Sequence, residues 1–305
     1  MTEPLENVRR YEHRAMATLF EILIASEEDA FASGAAREAF AEIDRIEEEL
    51  SRFIPSSDVS RINGLPPDGA IRVGLHTFEC LRESLMYRDE SGGAFDITLG
   101  PLVDCWIARD GSIESPSPDR IARAKERTGM DRLRLDGSSM TVGTSGSAPG
   151  IDLGAVGKGY AVDCAASLLR EWGCSSALVH GGRSSAFAFG DHPGCTGWPV
   201  TLTHPARPSQ RIEKIYLENR GLGGSGITRR KHIIDPRSGL PVEATRAAWV
   251  LSTSAARSDA LSTACMVMTE EEIRTMADRA GGFRAIIVDA GTDRVSVIDS
   301  RVPAS

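Results

Sequence analysis

Little in this sequence ties the chain to a membrane, a metal cluster or a nucleic acid. No apolar run approaches the roughly 20 residues that a membrane helix needs. The longest apolar patch near the start, residues 19–25, is broken by Glu21 and is too short for a signal-peptide core followed by a cleavage site. The expected location is therefore the cytoplasm, with no membrane insertion. Cys80, Cys105, Cys164, Cys174, Cys195 and Cys265 form no Cys-x-x-Cys pair and no zinc pattern with histidine. Without a secretion signal they read as reduced thiols, several of them in the core. Basic residues are outnumbered, with 35 Lys and Arg against 43 Asp and Glu, a net charge of −8. That balance excludes the broad basic surface of nonspecific nucleic-acid binding, but not a locally basic pocket for a nucleotide. Internal repeats, low-complexity tails and composition shifts that would mark a domain boundary are also missing.

What is present suits one large globular domain. The 305 residues are 41% hydrophobic and 26% charged, enough apolar material for a sizeable core. The expected organisation is a single domain over residues 14–300 with an N-terminal extension over 1–13. Apolar spacing predicts helices over 30–53, 76–89 and 119–127, and a strand over 16–25. A hairpin is expected over 132–143, and strands near 176–180, 186–190, 198–203, 211–217 and 246–252. Thr269-Glu-Glu-Glu272 is a capping box that opens a further helix, and residues 285–288 and 294–298 read as a closing hairpin. Strands and helices are interspersed without regular βαβ alternation, so the fold class is α+β rather than doubly wound.

The chain is organised around Ile151-Asp-Leu-Gly-Ala-Val-Gly-Lys-Gly-Tyr-Ala-Val-Asp163. An apolar strand end passes through three glycines and Lys158 into a helix whose apolar face is Ala161, Ala165, Leu168, Leu169 and Trp172. A glycine-rich turn at a helix start exposes backbone N–H groups at the positive end of the helix dipole, a seat for phosphate that Lys158 would strengthen. It is not a Walker A loop, because position 152 is Asp and position 159 is Gly. Asp259 and Thr263 stand four apart on a predicted helix and so share a face, and both are oxygen ligands of the kind Mg²⁺ takes. One carboxylate cannot hold Mg²⁺ well, so substrate phosphates would have to complete its shell. His232 follows the basic run Arg229-Arg-Lys231, and a neutral imidazole there suits a general base near pH 7.

Four ordered motifs carry a resemblance. Phe95-Asp-Ile-Thr-Leu-Gly-Pro101, the glycine-rich stretch, His232-Ile-Ile-Asp-Pro-Arg-Ser-Gly239 and Ser258-Asp-Ala-Leu-Ser-Thr263 together resemble the ApbE family, flavin transferases that move FMN from FAD onto protein Thr or Ser. The resemblance runs from about residue 16 to 288. It implies a T-fold-related α+β architecture of mixed antiparallel sheets with packed helices, and Mg²⁺-dependent transfer of FMN from FAD to an acceptor protein, with AMP leaving. It further implies FAD contacts at Met16, Phe53, Asn63, Ala94, Phe95, Asp96, Asp152, Lys158, Ser225 and Ile233. Metal contacts would fall on Asp259, Ser262 and Thr263 and on a backbone oxygen at Ala155. His232 would be the base, with Asp259 and Lys158 as its catalytic partners. Because many members are exported lipoproteins, the chain resembles a cytosolic variant. It departs from the family pattern at Met16-Ala-Thr18, at Gly181-Gly-Arg183, where a cation replaces a carboxylate, and at Gly224-Ser-Gly226. The rival readings are an FAD pyrophosphatase sharing every site residue and a non-catalytic flavin-binding protein.

Overall fold

The structure is a computed structural model that describes residues 7–26, 28–108, 112–226, 233–242 and 246–300. The first half holds β1 (Val8–Ala15), β2 (Thr18–Ala25), α1 (Asp29–Leu50), α2 (Asp58–Asn63), β3 (Ala70–Arg72), α3 (Leu75–Glu90), α4 (Gly100–Trp106), α5 (Pro118–Lys125), β4 (Leu133–Asp136) and β5 (Thr141–Thr144). The second half opens with α6 (Gly157–Glu171), β6 (Ala177–Gly181), β7 (Ser185–Phe189), β8 (Trp198–Thr203), β9 (Arg211–Leu217) and β10 (Arg220–Gly226). It closes with β11 (Arg246–Ser252), α7 (Ala255–Val267), α8 (Glu270–Ala280), β12 (Arg284–Asp289) and β13 (Arg294–Asp299).

Eight strands form one sheet in the order β1-β2-β6-β7-β10-β11-β12-β13, every neighbouring pair antiparallel. Helices pack on one face, and the β8–β9 ribbon covers part of the other. The alternation in β2 shows how this arises. Phe20, Ile22 and Ile24 point into the helical layer and are buried, while the residues between them face outward. Helix α1 buries Ala32, Ala35, Ala36, Ala39, Phe40, Ile43 and Ile46 at spacings of three and four, and its alanine-rich half lies against α6. On the opposite face Trp198, Leu202, Ile215 and Leu217 of the ribbon pack on Leu178, Ala188 and Leu222 of the sheet. A satellite cluster of Leu102, Cys105, Ala124 and Ile234 joins α4, α5 and the segment after residue 232.

Most predicted elements appear within two or three residues of their expected limits, and the capping box forms with both bonds in place, Glu272 N–H to Thr269 Oγ1 and Thr269 N–H to Glu272 Oε2. All six cysteines are free thiols, four of them buried. Among the described residues no helix is long and apolar enough to cross a membrane. The expected extension over 1–13 contributes, from Val8 onward, the edge strand β1, paired with β2 along its whole length. Two other features depart from the sequence reading. Trp172 closes α6 at its C-cap and is 40% exposed, with its ring against Gly34 of α1. Strand β10 carries no apolar alternation to announce it, yet it lies at the middle of the sheet.

Candidate active site

Strand β10 reads Arg-Gly-Leu-Gly-Gly-Ser-Gly, and its glycines explain both its invisibility in the sequence and its position. A Cβ at Gly223 would lie 2.2 Å from Ser258 C and 2.3 Å from Asp259 N. The backbone of α7 therefore rests directly on the backbone of β10, closer than any side chain allows. Ser185 on β7 stands opposite Gly223 in the register and points to the same side. It donates from Oγ to Asp259 Oδ2 at 2.6 Å. Two residues along β10, Ser225 again faces α7, where its Oγ lies 2.9 Å from Ser262 Oγ and 3.1 Å from Thr263 Oγ1.

Helices α6 and α7 meet as tightly. A Cβ at Gly159 would lie 2.4 Å from Ala255 O. The Gly159 N–H donates to Asp259 Oδ2 at 2.9 Å. Asp259 is thus a buried second-turn residue of α7 whose carboxylate sits on the N-terminal turn of α6. Burial pushes its carboxyl up to about 7, against the opposing pull of Lys158, the Ser185 hydroxyl and the Gly159 N–H. Both bonds use Oδ2, and no described residue bonds Oδ1.

Lys158 is in the first turn of α6 and donates from Nζ to Gly154 O at 3.1 Å. The turn before it is pinned by Asp152, whose Oδ1 accepts the Gly154 N–H at 2.8 Å and whose Oδ2 is 2.9 Å from Arg52 Nε. Arg52 also forms a two-pronged pair with Asp104 of α4, at 2.8 and 3.1 Å. The Phe95 motif runs beside this stretch, Asp152 N–H donating to Ile97 O and Gly100 N–H to Gly150 O. Asp96 accepts from the N–H and hydroxyl of Thr98, both at 2.6 Å, and burial raises its pKa in spite of them.

These elements enclose a cavity of about 440 Å³, within the usual range for small-ligand sites. Lys158, Asp152, Gly154 and Ala155 form one wall, and Asp259, Thr263, Ser225 and Ser184 another. Ala94, Phe95, Asp96, Leu99, Val103 and Ile233 supply the largely apolar remainder. The cavity can hold an anion beside Lys158 and the α6 N-terminus, with an apolar group against the wall that includes Phe95 and Ile233.

Of the expected site residues, Ala94, Phe95, Asp96, Asp152, Ala155, Lys158, Ser225, Ile233, Asp259 and Thr263 line this cavity. Four do not. Ser262 is fully buried and donates to Asp259 O at 2.9 Å. Asn63 uses both ends of its amide on the backbone of Ile151, at 2.7 and 2.9 Å, clamping the segment that leads into the glycine-rich turn. Met16 lies at the β1–β2 turn, its N–H donating to Glu47 Oε2. Phe53 is 80% exposed, with the Arg52 guanidinium 4.8 Å from its ring centre. His232, with the basic run before it, lies outside the described residues. The sequence reading missed Ser184, Ser185 and Arg52. The two serines follow a Gly-Gly turn between predicted strands, and that spacing is the only hint the sequence held.

The donor set fits a hard divalent cation only in part. Asp259 offers Oδ1, and Thr263 and Ser225 offer hydroxyls, all oxygen ligands. Among the described residues no three His, Cys, Asp or Glu side chains gather as a metal site. A cation here would need phosphate oxygens from the ligand, which is the usual way for Mg²⁺ in nucleotide sites.

Residues 16–287 match the ApbE family. The chain is 26% identical to an FAD:protein FMN transferase of Klebsiella pneumoniae over 293 residues, 91% of this chain and 83% of that one. It is 27% identical to the FAD:protein FMN transferase of Escherichia coli K12 over 255 residues, 79% of this chain and 72% of the relative. Among solved structures, the apo form of Pseudomonas stutzeri flavinyl transferase ApbE superposes with a TM-score of 0.84 at 26% identity, covering 96% of this chain and 95% of the other. The Thermotoga maritima ApbE protein superposes with the same TM-score at 25% identity, covering 96% and 97%.

Proposed function

The chain belongs to the ApbE family, and from that premise we propose that it transfers FMN from FAD to a Thr or Ser hydroxyl of an acceptor protein. The observation that supports this most is the meeting of Lys158, the α6 N-terminus and Asp259 in one cavity with an apolar wall. A dinucleotide needs both halves: cationic and N–H donors for its diphosphate, and an apolar slot for a ring system.

In this reading the acceptor hydroxyl oxygen attacks the FMN-side phosphorus of the FAD diphosphate. The bond from that phosphorus to the bridging oxygen breaks, and AMP leaves with the electron pair. The hydroxyl proton passes to a base, the role we assign to His232. Lys158 neutralises charge gathering on the diphosphate oxygens, and the α6 N-terminus adds to it. Asp152, fixed by Arg52 and Gly154 N–H, orients the ligand with its remaining lone pairs. Asp259 Oδ1, the Thr263 and Ser225 hydroxyls and the Ala155 carbonyl would hold Mg²⁺. A bound Mg²⁺ would supply further charge neutralisation on the phosphate oxygens.

The test is mass spectrometry of Thr-containing candidate acceptors after incubation with this protein, FAD and Mg²⁺. An acceptor heavier by one FMN moiety, together with free AMP, is the expected result. Free FMN and AMP with no modified acceptor would replace transfer by hydrolysis. His232→Ala should lower transfer by roughly 10²–10⁴-fold, the usual range for a missing general base, with FAD affinity much less changed. Transfer at the wild-type rate in that variant would remove His232 from the mechanism.

Affinity offers a separate check. FAD should bind more tightly than FMN, because the AMP half and the second phosphate add contacts that FMN lacks. Titration by quenching of flavin fluorescence measures both. Equal affinities would count against a site built for the dinucleotide.

A further inference from the structure

Asp259 and Asp163 form a reciprocal pair across the crossing of α6 and α7. Each helix sends a carboxylate, four residues beyond the close contact at Gly159 and Ala255, onto the first turn of the other. Asp259 Oδ2 accepts the Gly159 N–H. In return, Asp163 Oδ1 accepts the Ala255 N–H at 2.8 Å, and Oδ2 accepts the Ala256 N–H at 2.9 Å and the Ser254 hydroxyl at 3.0 Å. Helix α7 has a cap without Asp163, since Ser254 Oγ accepts the Arg257 N–H at 3.0 Å. What Asp163 adds is a fixed position for the start of α7 relative to α6.

That position matters because the two helices carry two of the charged groups of the cavity. Lys158 is on α6 and Asp259 is on α7, so their relative placement is the relative placement of the helices. Asp163 itself faces away from the cavity, toward a separate depression between α6 and the α1–α3 side, and so touches no ligand there. We propose that Asp163 is a positioning residue: by holding the first turn of α7 on α6 it sets the depth at which Asp259 enters the cavity beside Lys158. The proposal stands on the crossing geometry. Burial pushes the Asp163 carboxyl up to about 6 even with three donors upon it, so the contact is retained at an electrostatic cost.

The inference rests on the proposed reading of the cavity for its link to a divalent cation, but not for its link to Asp259. Asp163→Asn keeps the size of the side chain and can accept only one of the two backbone N–H groups. Asp163→Glu keeps the charge but moves the carboxylate outward by one methylene. In both variants, with no ligand added, exchange of the Gly159 amide hydrogen should quicken by about tenfold or more, because its acceptor has shifted, while the Ala165 amide two turns on stays within about twofold. An equal change at both amides would mean general loosening of α6 and would overturn the proposal. No change at Gly159 would overturn it as well.

Flavin fluorescence supplies the second readout. The Mg²⁺ concentration that half-saturates its effect on FAD affinity should rise by about tenfold in Asp163→Asn, with metal-free FAD affinity within about twofold, since a sub-ångström to 1 Å misplacement is costly only where geometry is demanding. In an Asp259→Asn background the Asp163 substitution should have no further effect on that Mg²⁺ response. A wild-type Mg²⁺ midpoint in a folded Asp163→Asn protein overturns the inference. Absence of any Mg²⁺ effect in the wild type overturns the metal reading instead, and the amide-exchange result then decides the inference alone. If Asp163→Asn fails to fold, Asp163→Glu carries the same measurements.

Discussion

Asp259→Asn should abolish FMN transfer and at the same time make the ligand-free protein more stable above neutral pH. The asparagine Oδ1 can accept from Gly159 N–H and Ser185 Oγ as the carboxylate Oδ2 does, so the fold keeps its bonds. The amide then presents an NH₂ group to the cavity, which cannot bind a cation. The sign of the stability effect follows from the raised pKa. In the unfolded chain this carboxyl titrates at its ordinary 3.8, and in the fold burial raises it to about 7. Below the lower value both states are protonated and burial carries no charge penalty. Between the two values the unfolded state ionises first, so wild-type stability falls as pH rises, and above about 7 the full penalty is present. At about 1.4 kcal/mol per unit, with relaxation reducing the total, the variant should gain on the order of 2–4 kcal/mol at pH 8 and little at pH 4. Urea unfolding at both pH values, with AMP release measured alongside, reads both halves. Normal AMP release would remove Asp259 from the catalytic site, and equal stability at pH 8 would mean the carboxylate is not held ionised in a desolvated pocket.

Gly223→Ala should be among the most damaging single methyl additions at the described glycines. Its Cβ would stand 2.2 Å from one backbone atom of α7 and 2.3 Å from another, and backbone cannot rotate away as a side-chain end can. Helix α7 would have to lift by more than an ångström, opening its contact with α6 and drawing Asp259 off Gly159. Overpacking of a core usually costs about 1–3 kcal/mol, and the backbone contacts on this side place the change at or above the upper end. Gly143→Ala, in β5 of the separate three-stranded sheet, is the matched control. Its Cβ would meet Ala70 Cβ at 3.4 Å and Gly69 O at 3.6 Å, ordinary contacts that should leave stability within about 1 kcal/mol. Thermal unfolding of the two variants side by side would test the argument. A Gly223→Ala protein as stable as the Gly143→Ala protein would mean that α7 does not rest on β10.

The parts of the fold that the sequence revealed share one property: their side chains carry the pattern. Helix α1 shows its apolar stripe, β2 its alternation, and α8 its capping box, because each buries one face and exposes the other. The glycine-rich turn, Lys158, Asp259 and Thr263 were legible for a similar reason. Glycines between a strand and a helix, and oxygen ligands four apart on a helix, are local arrangements whose chemistry needs no distant partner to be recognised.

Strand β10 shows the opposite case. Its fitness for the centre of the sheet lies in the absence of side chains at the positions where α7 approaches, and an absence has no period to detect. Likewise, Asn63 has the residue type of a ligand contact, but the fold spends both ends of its amide on Ile151. The sequence by itself determined most of the helices and strands, which family the motifs resemble, and which few polar residues are candidates for the chemistry. Only the tertiary structure decided how those residues meet. Ser185 beside Asp259, Asp163 on the first turn of α7, and Arg52 behind Asp152 all join segments 74 or more positions apart. The first two depend on backbones brought within van der Waals distance at Gly159 and Gly223, where the packing of helix on helix and helix on strand, not any local preference, sets the geometry.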